Sequence, residues 1–129
     1  MATLLTEPIE IYSDDYLKVL CMDEQGAGGA HHLYHVYEVA DDPTTEEPIA
    51  VIKHQEGAIL ENGVNGLTNE ALLAICGHRM ECFQKGPFPS HYNANAKVGI
   101  YFGLANLLSR TRDRKDLSLI HISEPTRPY

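Results

Sequence analysis

The chain has 129 residues, of which 43% are hydrophobic and 22% are charged, and its formal net charge is −8. This length suits one compact domain, and the hydrophobic content argues against disorder throughout. No apolar run approaches the roughly 20 residues of a membrane helix, and residues 1–10 lack the basic start and apolar stretch of a signal peptide. We therefore expect a cytosolic protein without a membrane partner.

The charge is divided unevenly along the chain. Residues 1–62 carry thirteen acidic residues against two lysines, a charge of −11, whereas residues 63–116 carry four acidic residues against seven basic ones, a charge of +3. A general DNA-binding protein needs a basic surface that follows many phosphates, so this distribution predicts no DNA partner. A small anion held by a few arginines remains compatible with it.

The first half of the chain predicts a small antiparallel β-sheet. Strand-like clusters or alternations of apolar residues occupy 9–12, 16–22, 31–39 and 49–54. The glycine-rich residues 23–30 and the acidic, proline-containing residues 41–48 are typical of connecting loops. Asn62-Gly63 and Asn65-Gly66 end this β-rich region, which we place at residues 1–66.

Residues 67–116 predict a helical hairpin. Thr68 can cap a first helix, Gly86-Pro87 ends it, and Ser90 can cap a second helix. Each helix carries a mostly apolar stripe at helical spacing. The stripes comprise Leu72, Ile75, Cys76, Arg79, Met80 and Phe83, then Ala94, Val98, Tyr101, Ala105 and Leu108. The predicted fold is therefore α+β, a small antiparallel β-sheet followed by a C-terminal two-helix hairpin.

Three arginines lie at the end of the second helix, and Phe83 and Asn93 lie on either side of the bend between the helices. Arg110, Arg112 and Arg114 can be a solvated helix end that favours the helix dipole, or a site for phosphates or bases. Arg110 and Arg114 share a helix face, and Arg112 points elsewhere. Phe83 can belong to the core, or it can stack a base whose edge is hydrogen-bonded by Asn93.

Three histidines raise the question of a metal. On a strand over 31–39, His31 and His35 would face one side of the sheet and His32 the other, so the three would not converge on one ion. No Ser-His-Asp order, nucleophile elbow or closely spaced acidic pair is visible. We therefore predict no metal ligand, no cofactor and no catalytic residue.

The last residues of the sequence resemble the translation of a transposase-type sequencing adapter. Eleven successive codons of such an adapter give Leu117–Arg127 in order. We therefore interpret residues 117–129 as an adapter-derived tail and exclude His121 and Arg127 from the functional interpretation.

A family resemblance emerges from the hairpin motifs. Glu81–Phe88, Asn93-Ala94 and Arg110–Arg114 resemble the hairpin domain that Thoeris anti-defence proteins share with anti-CBASS nucleotide sponges of phages. The preceding Ile49–Lys53 and Gly63–Gly66 resemble the longer Thoeris type. The family usually has Asp where His78 stands here, and its usual continuation after the arginines is missing.

The resemblance implies a non-enzymatic function in the cytoplasm of an infected bacterium. Such a sponge binds cyclic ADP-ribose isomers, forms dimers and hexamers, and in some members also holds cyclic di- or trinucleotides. The resemblance places ligand contacts on Phe83, Asn93 and Arg110, which we expect to line one pocket. Arg79 and Arg114, one helical turn away from Phe83 and Arg110, complete the candidate ligand-binding set.

Three alternative functions remain open at this level. The protein could hold cyclic oligonucleotides of CBASS instead of cyclic ADP-ribose isomers. It could be an enzyme that cleaves such nucleotides with His31 or His35 as acid-base groups. It could also be a structural oligomer that assembles through Gly99 and Gly103, whose four-residue spacing places both on one helix face.

Overall fold

The computed structural model describes the backbone of residues 3–120 and the side chains of residues 3–114. Most of the predicted adapter-derived tail at 117–129 lies outside these residues. The chain divides into two compact units, Met1–Thr68 and Asn69–Tyr129. The first unit holds a four-stranded antiparallel sheet and the second holds two helices, so the predicted α+β fold with a helical hairpin is confirmed. No helix in the described part of the chain is long and apolar enough to cross a membrane.

The sheet is a meander whose strands lie side by side in chain order. Its strands are β1 (Leu4–Ser13), β2 (Leu17–Asp23), β3 (Leu33–Glu38) and β4 (Ala50–Lys53). β1 begins well before the predicted residue 9, and its pairing with β2 shifts register between Leu4 and Ile9. Such a shift breaks the two-residue alternation on which the prediction of a strand depends. The side chains of Leu20, Cys21 and Tyr37 are buried between the strands and their connections.

After β4 the chain turns back on the edge of the sheet. A single helical turn, α1 (Ile59–Asn62), leads to Leu67, which pairs in parallel with His54. Leu67 N–H donates to the Lys53 carbonyl, and Gln55 N–H donates to the Leu67 carbonyl, each at 2.8 Å. Gly66 lies directly against the His54 carbonyl group, because a Cβ atom at this position would overlap it. The absence of a side chain at Gly66 therefore permits the pairing.

The second unit is formed by α2 (Asn69–Lys85) and α3 (His91–Ile120), with the bend at residues 86–90 as predicted. Gly77 is buried in α2 against the ring of Tyr101, whose Cε1 and Cζ atoms would lie 2.8 Å from an added Cβ. The Tyr101 hydroxyl donates a hydrogen bond to the Glu81 carboxylate. Gly103 of α3 faces Leu73 of α2, because a Cβ atom added at Gly103 would lie 3.8 Å from the Leu73 Cδ1 atom, an ordinary van der Waals distance. These contacts join the two helices.

The bond between Tyr101 and Glu81 shifts the pKa of both groups. It lowers the pKa of Glu81 and raises the pKa of Tyr101, because it favours the ionised carboxylate and the neutral phenol. The bond therefore stabilises the hairpin between these two pKa values. Its contribution is lost as the pH falls through the lowered pKa of Glu81 or rises through the raised pKa of Tyr101.

The face of α2 that packs on α3 differs from the stripe predicted for α2, whereas Tyr101 of the predicted α3 stripe lies at the contact. Leu73, Gly77 and Glu81 of α2 face α3, whereas Ile75 of the predicted stripe is exposed. Val98 of α3 is 68% exposed. Leu108 and Phe102 are also exposed, Phe102 by 72%. Gly77 does not contribute to a pattern of apolar residues in α2, so the predicted stripe could not reveal its contact with Tyr101.

Candidate ligand-binding site

Two of the candidate residues lie together near the end of α2. The Arg79 guanidinium carbon is 5.5 Å from the centre of the Phe83 ring, within the range of a cation–π contact. The Phe83 side chain is 41% exposed and Arg79 is exposed. Part of the aromatic ring is therefore accessible beside a positive charge, which is an arrangement able to stack a nucleobase.

Asn93 lies on the other side of the same bend, in the first turn of α3. Its backbone N–H donates to the Ser90 hydroxyl at 3.0 Å, so Ser90 caps α3 as the sequence predicted. Ser90 N–H donates in turn to the Gln84 side-chain oxygen at 2.9 Å, which ties the bend to the end of α2. These bonds fix the backbone of Asn93 near the end of the helix that carries Phe83. We call Arg79, Phe83 and Asn93 the bend group.

The arginines lie at the opposite end of the hairpin. α3 is continuous from His91 to Ile120, so Arg110 follows Asn93 by seventeen residues, or roughly 25 Å along the helix axis. Thr111 donates a hydrogen bond to Glu70 at 3.2 Å, which places this end of α3 beside the start of α2. Arg110 and Arg114 are exposed. We call these two arginines the far-end group.

The expectation of one pocket lined by Phe83, Asn93 and Arg110 does not hold within a single chain. A continuous helix cannot bring its two ends together, and roughly 25 Å exceeds the span of one nucleotide. Whether these residues contact a ligand stays a prediction. If they contact the same ligand, that ligand has to lie between two copies of the chain, because the bend group and the far-end group are too far apart within one copy.

The histidines of the sheet unit are placed differently from the sequence prediction. β3 begins at Leu33, so His31 and His32 precede the strand and the alternation of strand faces does not apply to them. The buried Asp23 carboxylate accepts hydrogen bonds from the N–H groups of His32 and Leu33, at 3.0–3.1 Å. His35 stays on the strand, where burial lowers its pKa. No local sequence pattern reveals the role of Asp23, because its hydrogen-bond partners follow nine and ten residues later.

The sheet unit also contains a polar cavity of about 490 Å³. Its lining includes Glu24, Gln25, Gly26, Glu56, Asn62 and Asn65. None of the five candidate ligand-binding residues belongs to this lining. Glu56 is held there through its backbone, which exchanges hydrogen bonds of 2.8 and 2.9 Å with the Asn65 side chain.

Comparison with known proteins supports the resemblance seen in the sequence. No family model matches the chain. The chain is 34% identical over 67 residues to Thoeris anti-defense 1 of Bacillus phage SBSphiJ7. Over this segment the chain is similar to a Thoeris anti-defence protein. The alignment covers 52% of this chain and 47% of the relative, so the chain spans about half the length of the curated relative that it matches.

Proposed function

We propose that the protein binds and sequesters cyclic ADP-ribose isomers without cleaving them, and so blocks Thoeris immunity in the cytoplasm of an infected bacterium. The relationship to Thoeris anti-defense 1 of Bacillus phage SBSphiJ7 carries the proposal. Cyclic ADP-ribose isomers contain an adenine ring and two phosphates. An accessible aromatic ring can stack the adenine, and arginine side chains can hold the phosphates.

The separation of the two groups suggests that the ligand lies between two chains. The bend group supplies Phe83 with its neighbouring Arg79, and the far-end group supplies Arg110 and Arg114. In a dimer with two-fold symmetry, the bend of one chain would meet the far end of the other, and each dimer would contain two equal sites. We propose that dimers of this kind assemble further into hexamers.

The exposed apolar residues of the hairpin support this assembly. Ile75 of α2 and Val98, Phe102 and Leu108 of α3 are all exposed in the single chain. Exposed apolar side chains that lie close together favour association with another protein surface. A second copy would cover them. Gly99 is open as well, because a Cβ atom there would meet no heavy atom within 4 Å in the described structure.

Replacing Arg110 by alanine is expected to weaken ligand retention by roughly 10- to 100-fold, because a hydrogen bond from a charged group to a phosphate contributes about 1.5–3 kcal/mol. Arg112→Ala is the matched control, since it removes the same charge from another face of α3. Equilibrium dialysis with cyclic ADP-ribose isomers measures both dissociation constants. Equal retention by the two variants and the wild type would remove Arg110 from the site.

A mixture of two defective variants tests whether the site is shared. Phe83→Ala and Arg110→Ala chains should each retain little ligand alone. The two variants are mixed in equal amounts, unfolded and refolded, so that half of the dimers contain one chain of each. Each mixed dimer has one intact site, so about one quarter of all sites should recover. No recovery, with dimers of both variants shown by light scattering, would mean that the two residues do not share a site.

Retention of cyclic di- or trinucleotides alone would favour the anti-CBASS alternative.

A further inference from the structure

His32 carries an unusual nitrogen atom in the sheet unit. The side chain is only 7% exposed, and its Nδ1 atom is a buried side-chain nitrogen for which the described residues supply no hydrogen-bond partner. A buried polar atom of this kind is costly unless a partner satisfies it. A buried nitrogen without a partner among the described residues therefore indicates that a bound group supplies the partner.

Two carboxylates lie close to this imidazole ring. The Nδ1 atom of His32 is 3.9 Å from the nearer oxygen of Glu56, too far for a hydrogen bond. One ligand atom each from Asp23, His32 and Glu56 lies within 4.8 Å of the other two. Two ligands of one tetrahedral ion, each about 2.1 Å from it, are separated by about 3.4 Å. The 3.9 Å between His32 Nδ1 and Glu56 exceeds this value by about 0.5 Å, a difference that a small adjustment of the half-buried Glu56 side chain would close.

We propose that Asp23, His32 and Glu56 form a binding site for a first-row transition-metal dication such as Zn²⁺. One imidazole nitrogen and two carboxylate oxygens are a donor set that suits such an ion better than Mg²⁺ or Ca²⁺, which favour oxygen ligands. The proposal goes beyond ligand sequestration, because all three residues belong to the sheet unit and none belongs to the bend group or the far-end group.

The surroundings of Asp23 and Glu56 fit the role of metal ligands. Asp23 is fully buried, and the N–H groups of His32 and Leu33 orient its carboxylate. These two N–H groups fill three of the roughly four acceptor positions of the carboxylate, because the His32 N–H contacts both of its oxygens. One position is left for a metal ion. In known metal sites, hydrogen bonds from neighbouring groups orient the side chains that bind the metal, and the two N–H groups orient the Asp23 carboxylate in the same way. The excess of acidic residues in the first half of the chain also attracts a cation.

A neighbouring set of three residues fits a metal less well. Cys21, Asp23 and His31 also bring one ligand atom each within 4.8 Å of one another. Two of these three residues already contact the backbone carbonyl of Asp23. The His31 Nδ1 atom lies 2.6 Å from it and the Cys21 sulfur 3.6 Å from it. His32 Nδ1 has no such partner among the described residues. Glu56 also lines the 490 Å³ cavity, from which water could complete the coordination.

Zinc titration of the chelator-treated full chain tests the site. We expect the wild type to bind one Zn²⁺ ion per chain in this site, and Glu56→Gln to weaken that binding by at least about 10-fold. Glu24→Gln is the matched control, because Glu24 lines the same cavity but is not one of the three proposed ligands. Calorimetry measures affinity and stoichiometry, and circular dichroism confirms that each variant is folded.

Nuclear magnetic resonance of the histidine rings locates the ion among the seven histidines of the chain. At a zinc concentration near the wild-type dissociation constant, the ¹⁵N signal of His32 Nδ1 should shift in the wild type and should shift much less in Glu56→Gln. Equal zinc affinity in the wild type and Glu56→Gln, or zinc binding that leaves His32 Nδ1 unchanged, would overturn the proposal. Failure of this test would leave the proposed sequestration untouched, since its variants change residues in the hairpin.

Discussion

Replacing Gly66 by alanine should lower the free energy of unfolding of the sheet unit by about 3 kcal/mol, the upper end of the usual range for overpacking. An added Cβ atom would overlap the His54 carbonyl group and lie 2.7 Å from the Gln55 nitrogen. These are backbone atoms and cannot rotate away. Relief requires separation of Leu67 from β4, with loss of the two hydrogen bonds that join Leu67 to Lys53 and Gln55.

Amide hydrogen exchange and denaturant unfolding measure this effect. Exchange at the Leu67 and Gln55 amides should become much faster in Gly66→Ala, while amides of the α2–α3 hairpin keep their protection. Gly28→Ala is the matched control in the same unit, because Gly28 has a φ of +70° but open space around it. Its backbone strain should cost only about 1 kcal/mol. Equal stability of Gly66→Ala and the wild type would show that Leu67 does not pair as described.

Gly77→Ala should destabilise the hairpin, although alanine is the better helix former. The substitution gains about 1 kcal/mol of helix propensity, but the new methyl group would lie 2.8 Å from two atoms of the Tyr101 ring. Displacing that ring also breaks the bond from its hydroxyl to Glu81. Overpacking of this kind costs about 1–3 kcal/mol, and the lost hydrogen bond adds to that cost, so after the gain in helix propensity we expect a net loss of about 1 kcal/mol or more.

Gly99→Ala is the control that isolates the contact. Gly99 also lies inside a helix, but an added Cβ atom would meet no described atom within 4 Å. This variant should therefore gain about 1 kcal/mol in a chain kept monomeric by dilution. The two glycine variants should then differ by at least about 2 kcal/mol in opposite directions, as measured by thermal unfolding. A stabilised Gly77→Ala would contradict the packing of Tyr101 on α2.

The sequence predicts the larger elements because their signals are local. Strand-forming residues in 16–22 and 49–54, the Gly86-Pro87 stop and the Ser90 cap each act within a few residues, and the sheet and the hairpin follow from them. The start of β3 was predicted too early. His31 and His32 are held outside the strand by Asp23, a contact across the connection that no local pattern contains.

The packing and the candidate site depend on longer-range geometry. The contact of Gly77 with Tyr101 joins residues 24 positions apart, and a glycine adds nothing to an apolar stripe. Glu56 approaches His32 only because the chain after β4 returns to the sheet. The sequence could nominate Phe83 and Arg110 by residue type and place them at opposite ends of the hairpin, and the unbroken length of α3 then fixes how far apart they lie in one chain.

Sequestration without chemistry is tested most directly by recovering the bound ligand. The protein is incubated with cyclic ADP-ribose isomers, free ligand is removed, the protein is denatured, and the released molecules are identified by mass spectrometry. We predict release of the intact cyclic isomer, in an amount that approaches one molecule per chain when each dimer holds two. Release of linear ADP-ribose or smaller fragments would contradict sequestration and indicate an enzyme.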